Sequence, residues 1–312
     1  MEAEASSWDV AVVGAGYAGL AAGLSLCRHR LNTVLFDGGA VRNTAALEVH
    51  GYLGLPGRSA AELVEIGRRQ VTEVGGRIES SQVIAAEPIT VDGELGFRLE
   101  ADDGRAWTTK RLLLATGVRD LIPDIEGFSE FYGRSVHVCP HCDAYEWRDQ
   151  PIAIVAWNDA TRAFASKLSH WSQRLTVVTD GRRPEMSAAE QAHLERRGIQ
   201  IKTGTVSRFE GRDGRLEGLR FTDGELLPVK AAFFNIGEQF QTALAEKLGC
   251  RLSASGAIQV DAEGHTSVEG VWAAGDVTGD SQFIPVAAAS GLKGALDIYR
   301  TLAPTEPETH PA

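Results

Sequence analysis

Cysteine is scarce in this chain, with four among 312 residues. That excludes a disulfide framework of the kind that staples small secreted domains. Long apolar runs are missing too. No stretch reaches the roughly 18–20 residues that a membrane span needs. Positive charge is in deficit, with 31 Lys and Arg against 42 Asp and Glu, a formal net charge of −11. Nucleic acid and anionic membranes both demand clustered Lys and Arg, so neither is expected as a partner. The first residues, Met1 to Asp9, lack the basic and apolar regions of a signal peptide, and a cytoplasmic location is the resulting expectation. What is present is ordinary for a globular chain: 43% hydrophobic and 23% charged residues. The length allows two domains with cores of their own.

Glycine is placed where a dinucleotide needs it in one region and is missing from the equivalent place in another. The apolar run Asp9–Val13 is of strand type and ends in Gly14-Ala15-Gly16-Tyr17-Ala18-Gly19. A helical run follows from Leu20 to about Arg28, then a strand, Thr33–Asp37, that ends in an acid. Gly14 permits the tight strand-to-helix turn, Gly16 lets backbone approach a pyrophosphate, and Gly19 allows close helix–strand packing. The helix start then offers free N–H groups to the phosphates. Asp37 is placed for a ribose hydroxyl, beside Gly38. Two distant elements favour FAD over NAD. They are Leu114-Ala115-Thr116-Gly117 and Gly270–Asp276, in which Asp276, after the flavin-binding Gly275, would reach the flavin ribityl chain. A second unit of the same kind starts at Pro151–Val155, with a helix over about 160–171 and a strand at Leu175–Asp180. Where its loop should carry glycines stand Ala156, Asn158 and Thr161, with bulky Trp157 among them. Asp180 would repel a 2′-phosphate, and Arg182 and Arg183 could rescue it or form a solvated turn. Loss of NADPH binding is the expectation. The strand-like stretch 78–115 with turns at Asp92-Gly93 and Asp103-Gly104, a helix over 60–74, and a small-residue helix over about 285–302 complete the pattern. The tail, residues 304–312, reads as disordered.

Two of the cysteines form Cys139-Pro140-His141-Cys142, followed by Asp143. Such a pair can close and reopen a small disulfide, and a thiolate is its reactive form. His141, if protonated, and a helix starting here would both favour thiolate. Asp143 can move the thiol proton, and could also cap a helix. Zinc would need a second pair of ligands. His137 and His141 are near, but no second cluster exists, so no metal is expected. Cys27 and Cys250 lie in apolar surroundings and read as inert.

These motifs in this order resemble the low-molecular-weight thioredoxin reductase family of flavoproteins, over about residues 8–300. The resemblance implies an α/β fold of two doubly wound Rossmann-like domains, the second inserted in the first. The FAD domain would comprise 1–117 and 244–312, and the CxxC-bearing domain 118–243. It implies a homodimer, a catalytic Cys139 that attacks the substrate disulfide, Cys142 facing the flavin, and Asp143 as proton donor. Arg42-Asn43 with His50-Gly51-Tyr52, and Tyr145-Glu146, resemble instead the branch of flavin-dependent dithiol oxidases. That branch adds Asn43 and His50 to the flavin-binding residues, yet usually carries His where this chain has Asp143. The family's Arg-Gln-Ala near the last helix is replaced around Ile284–Val286. The expected activity is flavin-dependent thiol–disulfide exchange without NADPH. A thioredoxin-like protein would be the substrate, with ferredoxin as a possible redox partner. The alternatives are a dithiol oxidase that closes a disulfide in a small metabolite with oxygen as acceptor, and a flavin redox sensor without turnover.

Overall fold

The computed structural model describes residues 7–39 and 41–303. The tail expected to be disordered, 304–312, lies outside the described residues. The chain divides into two compact units. The first comprises residues 1–42, 62–119 and 240–312, and the second 43–61 and 120–239.

In the first unit, β1 (Ser7–Val13) leads through α1 (Tyr17–Arg28) to β2 (Thr33–Phe36), parallel to β1 with Val13 opposite Phe36. After α2 (Ala60–Glu73), β3 (Arg77–Glu79) extends the sheet beyond β2. Then β4 (Val83–Val91), β5 (Glu94–Ala101) and β6 (Ala106–Leu114) form an antiparallel meander. Its first turn has Asp92 and Gly93 both at positive φ, the conformation a two-residue hairpin turn requires. β6 also runs parallel to β1, giving the order β3-β2-β1-β6-β5-β4.

The second unit follows β7 (Val118–Asp120) and holds a five-stranded parallel sheet. Its elements begin with α3 (Phe128–Phe131), β8 (Val136–His137), α4 (Pro140–Asp143) and β9 (Ile152–Val155). They continue with α5 (Thr161–Leu168), β10 (Leu175–Val178), α6 (Ala188–Arg196) and β11 (Gln200–Lys202). A three-stranded antiparallel sheet, β12 (Val206–Arg212), β13 (Arg215–Phe221) and β14 (Leu226–Pro228), comes next. β15 (Ala231–Phe234) then returns to the parallel sheet, in the order β11-β10-β9-β15-β8. The chain leaves by β16 (Glu238–Phe240), which pairs with β7. The first unit is completed by α7 (Ala243–Leu248), β17 (Val271–Ala273) beside β6, and α8 (Ile284–Leu302) against α1.

The inner strands are mostly apolar because both faces are covered. In β1, Val10 and Val12 enter one core with Leu20 and Leu26 of α1, while Ala11 and Val13 enter another with Phe36, Phe97 and Trp107. β2, β9, β10 and β15 are buried at every position. Each fully buried large apolar side chain contributes about 1.5–3 kcal/mol. α6 starts on a capping box, in which Ser187 and Glu190 satisfy each other's backbone N–H groups.

Candidate active site

The turn from β1 to α1 is built from backbone. Gly14 has φ +112°, and a Cβ there would lie 2.1 Å from the Ala115 carbonyl oxygen. A Cβ on Gly19 would meet the Gly14 carbonyl at 1.8 Å, so helix and strand touch through bare backbone. Gly16 has open space around it and caps α1 without any side-chain hydrogen bond, and the first turn carries no acid. The N–H groups at the start of α1 and the positive end of the helix suit an anion. Gly117 also borders open space, and Thr116 Oγ1 donates to the Gln241 carbonyl at 2.6 Å. Asp37 follows β2 directly. Its Oδ1 accepts from Gly39 N–H at 2.8 Å and its Oδ2 pairs with Arg68, and Gly38 beside it is exposed. Gly275 donates its N–H to Ser290 Oγ of α8 at 2.8 Å. Asp276 lies 3.1 Å from the Arg42 guanidinium, which also reaches Gln282. The open glycine backbone and uncapped helix start fit the pyrophosphate of FAD. Gly14, Gly16 and Gly19 would hold it, with Gly117, Gly275 and Asp276 as further expected contacts.

The second unit carries the cysteines. Cys139 and Cys142 form a disulfide, Sγ–Sγ 2.07 Å and Cα–Cα 5.3 Å. Cys139 is the N-cap of α4, with Pro140 in the first helical position, where its fixed φ is suited. The Cys142 N–H donates to Cys139 Sγ at 3.2 Å, a donor that would also stabilise a Cys139 thiolate. Asp143 ends α4, so the capping position belongs to Cys139. The exposed His141 ring packs edge-to-face on Trp171, centroids 5.8 Å apart. Burial pushes the Asp143 carboxyl up to about 7, against a lowering influence from His50 and a raising one from Glu146. It can thus hold or release a proton near neutrality.

His137 stands behind Asp143, with Nδ1 3.6 Å from Asp143 Oδ2. It is buried, and its Nε2 accepts from the Trp147 indole N–H at 3.0 Å. Burial pushes its pKa down to about 4, so the ring is neutral. His50, expected among the flavin-binding residues, is placed in the second unit, with Nδ1 3.7 Å from Glu146 and 4.0 Å from Glu48. Asn43, expected there as well, is grouped with the same unit, and its Oδ1 is buried without a hydrogen-bond partner. The sequence offered no signal for Trp147, and marked His137 only as a neighbour of the cysteines. Burial pushes the free Cys27 and Cys250 thiols up, which disfavours their thiolates.

The turn from β9 to α5 repeats the dinucleotide frame with side chains in place of glycines. The Arg182 guanidinium lies 4.0 Å from the Trp157 ring centroid. Asn158 Nδ2 donates to the Asn235 carbonyl at 3.1 Å, and its Oδ1 accepts from Thr161 Oγ1 at 3.3 Å. Asp180 Oδ1 takes the Val206 N–H at 2.9 Å, and Oδ2 pairs with Arg182 at 2.7 Å. Groups that would meet a nucleotide phosphate and ribose are thus bonded to one another.

An open dinucleotide cradle and a redox disulfide with a proton-bearing carboxyl beside it define a flavin disulfide oxidoreductase. The model of the pyridine nucleotide-disulphide oxidoreductase family matches residues 8–291. A thioredoxin reductase of Treponema pallidum is 31% identical, over 88% of this chain and 91% of its own. The thioredoxin reductase tcpT of Claviceps purpurea is 28% identical, over 91% and 90%. The crystal structure of HlmI, 32% identical, superposes with a TM-score of 0.88 over 95% of this chain and 92% of HlmI. The chain belongs to the pyridine nucleotide-disulphide oxidoreductase family, as an FAD-dependent, thioredoxin reductase-like enzyme with an α/β fold of two Rossmann-like units.

Proposed function

We propose that this enzyme exchanges electrons between its flavin, the Cys139–Cys142 disulfide and the disulfide of a thioredoxin-like protein, without using NADPH. The observation that carries the second half is the β9–α5 turn, where Trp157 lies under Arg182 and Asn158 is tied to Asn235 and Thr161. A phosphate would have to displace these contacts and find no glycine backbone behind them. Bound FAD supplies or accepts the electron pair that reduces or reoxidises the cysteines.

The remaining steps belong to the chain's own side chains. In the reducing direction, the Cys139 thiolate attacks one sulfur of the substrate disulfide, and that S–S bond breaks. The departing thiolate takes the Asp143 proton. Asp143 regains a proton from the Cys142 thiol, whose sulfur attacks Cys139 and releases the second substrate thiolate. The substrate gains two electrons and the cysteines close their disulfide. Cys139 is suited to the attacking role by the Cys142 N–H directed at its sulfur. The relatives named thioredoxin reductases support a thioredoxin-like substrate. A reduced ferredoxin is the donor class compatible with a closed nucleotide turn. A homodimer in the cytoplasm completes the reading. No helix among the described residues is long and apolar enough to cross a membrane.

The same closed turn favours one second reading. Run in reverse, a small dithiol opens Cys139–Cys142 and oxygen takes the electrons, which needs no nucleotide site. The two directions separate in one experiment. The reductase reading predicts that chemically reduced holoenzyme reduces a thioredoxin anaerobically. The oxidase reading predicts hydrogen peroxide in proportion to a small dithiol consumed in air. Cys139→Ser abolishes either activity and leaves FAD bound. Turnover surviving that substitution would refute both.

A further inference from the structure

Behind the reacting carboxyl lies a second buried group that the exchange chemistry above does not use. The Trp147 indole can only donate, so its contact with Nε2 at 3.0 Å makes that nitrogen the acceptor and leaves the His137 ring proton on Nδ1. Nδ1 is the nitrogen 3.6 Å from Asp143 Oδ2. The ring is also fixed by packing against Phe233, centroids 5.4 Å apart, and the Arg134 backbone shares the Nδ1 proton with the carboxyl. It thus has one tautomer and one orientation. We propose that His137, locked by Trp147, is the positioning residue for Asp143: its Nδ1–H stabilises the carboxylate that exists between the two proton transfers at sulfur. The inference rests on the Asp143 role given under the proposed function.

The two protonation states of Asp143 use this donor unequally. A protonated carboxyl gains little from an N–H on a nitrogen 3.6 Å away. An ionised one draws the donor into a charge-assisted hydrogen bond of about 2.7–2.9 Å, roughly twice as strong as a neutral one. In a buried site the gain is larger, because little water competes. His137 thereby lowers the cost of the intermediate carboxylate without carrying a charge itself. An imidazolium in its place would hold Asp143 ionised and deprive the leaving thiolate of its proton, and Trp147 opposes that by occupying Nε2. The other charged groups that face Asp143 within this unit are His50 and Glu146, with Glu48 beyond His50. All three residues are retained in the variants below.

The test is the opening of the Cys139–Cys142 disulfide by dithiothreitol in the holoenzyme, followed from about pH 5 to 9, the range that brackets the Asp143 ionisation. It is paired with the infrared carbonyl band of Asp143, identified by its loss in Asp143→Asn. His137→Phe keeps the ring volume without the donor. Its carboxyl should ionise about one pH unit higher, with the rate below neutrality, where the carboxyl must give up its proton, falling up to about tenfold. His137→Asn restores a donor near the Nδ1 position and should keep the rate within about threefold of wild type. Trp147→Phe frees Nε2 to bind a second proton and should shift the ionisation in the opposite direction, downward. If His137→Phe and Trp147→Phe change thermal stability but leave both the rate profile and the infrared midpoint in place, His137 is structural and the inference is wrong. If His137→Phe does not fold, His137→Asn and Trp147→Phe decide the question on the same two readouts. If Asp143→Asn itself leaves the profile unchanged, the failure lies in the role given to Asp143.

Discussion

The β1–α1 and β9–α5 turns occupy the same place in two copies of one frame, yet they end in opposite states. In the first, Gly14, Gly16 and Gly19 leave backbone bare, and α1 begins without a side-chain cap. In the second, Ala156, Asn158 and Thr161 stand at the equivalent spacing, and Trp157 and Asn158 are engaged by Arg182, Asn235 and Thr161. The carboxylates differ as well. Asp37 and Asp276 of the first unit are each paired with an arginine. Asp143 of the second is largely but not fully buried beside a neutral histidine and is raised to about 7. On the proposed reading, a Rossmann-like frame does not by itself make a nucleotide site, because the side chains of its turn decide whether a phosphate can approach the backbone.

Exchanging residues between the turns should erase this contrast, most severely at Gly19. Gly19→Thr places a β-branched side chain where even a Cβ would lie 1.8 Å from the Gly14 carbonyl. Helix and strand would have to separate, with an expected loss of at least about 4 kcal/mol in urea unfolding and no bound FAD. Retention of FAD at wild-type stoichiometry would contradict the assigned packing role.

Asp143→Asn probes the contrast between the carboxylates. The folded-state pKa of about 7 lies well above the ordinary carboxylate range. The protonated form thus supports folding fully below about pH 4, where the unfolded chain is also protonated, and that support is lost as pH rises towards neutrality. Asparagine has no such titration, so the variant should gain on wild type by roughly 2–4 kcal/mol between about pH 4 and 8. His137 runs the other way. Its depressed pKa of about 4 gives stability that is present above the ordinary histidine range and lost as pH falls through 4. Urea unfolding of both proteins at several pH values checks the sign. A difference that does not change with pH would mean that Asp143 is not buried as described.

Gly16→Asn is the gentler exchange. A Cβ at Gly16 meets nothing within 4 Å, so the apoprotein should keep its stability to within about 0.5 kcal/mol. FAD affinity should fall by about 10- to 100-fold, because the side chain occupies the approach to the phosphates. Trp157→Ala should do least. It removes a cation–π contact of about 0.5–1 kcal/mol together with some apolar contact, and it should still not confer NADPH binding, since Asn158 and Asp180 remain engaged. Equilibrium binding of NADPH to that variant is the check.

Much of this was legible in the sequence where chemistry and local geometry coincide. Gly14, Gly16 and Gly19 are dictated by one turn. Cys139, Cys142 and Asp143 are near neighbours in sequence, so their proximity needs no knowledge of the fold. The turn expected at Asp92-Gly93 is such a case too, and there both residues take positive φ. The rest depends on contacts that spacing does not encode. His137 meets Trp147 across ten residues, through a loop and a one-turn helix. The segment 43–61 has no repeating strand or helix pattern, and its grouping with the second unit, which brings His50 to Glu146, comes from tertiary packing. The short strands β7 and β16 cannot show a period, and only their pairing reveals them.

Closure of the β9–α5 turn is tested by mixing the purified holoenzyme anaerobically with excess NADPH, then NADH, and following the visible flavin absorbance. A closed turn predicts that neither bleaches the flavin, whereas dithiothreitol does so in wild type and fails to in Cys139→Ser. Rapid bleaching by NADPH would contradict it, and would mean that the contacts made by Trp157 and Asn158 open to admit a nucleotide.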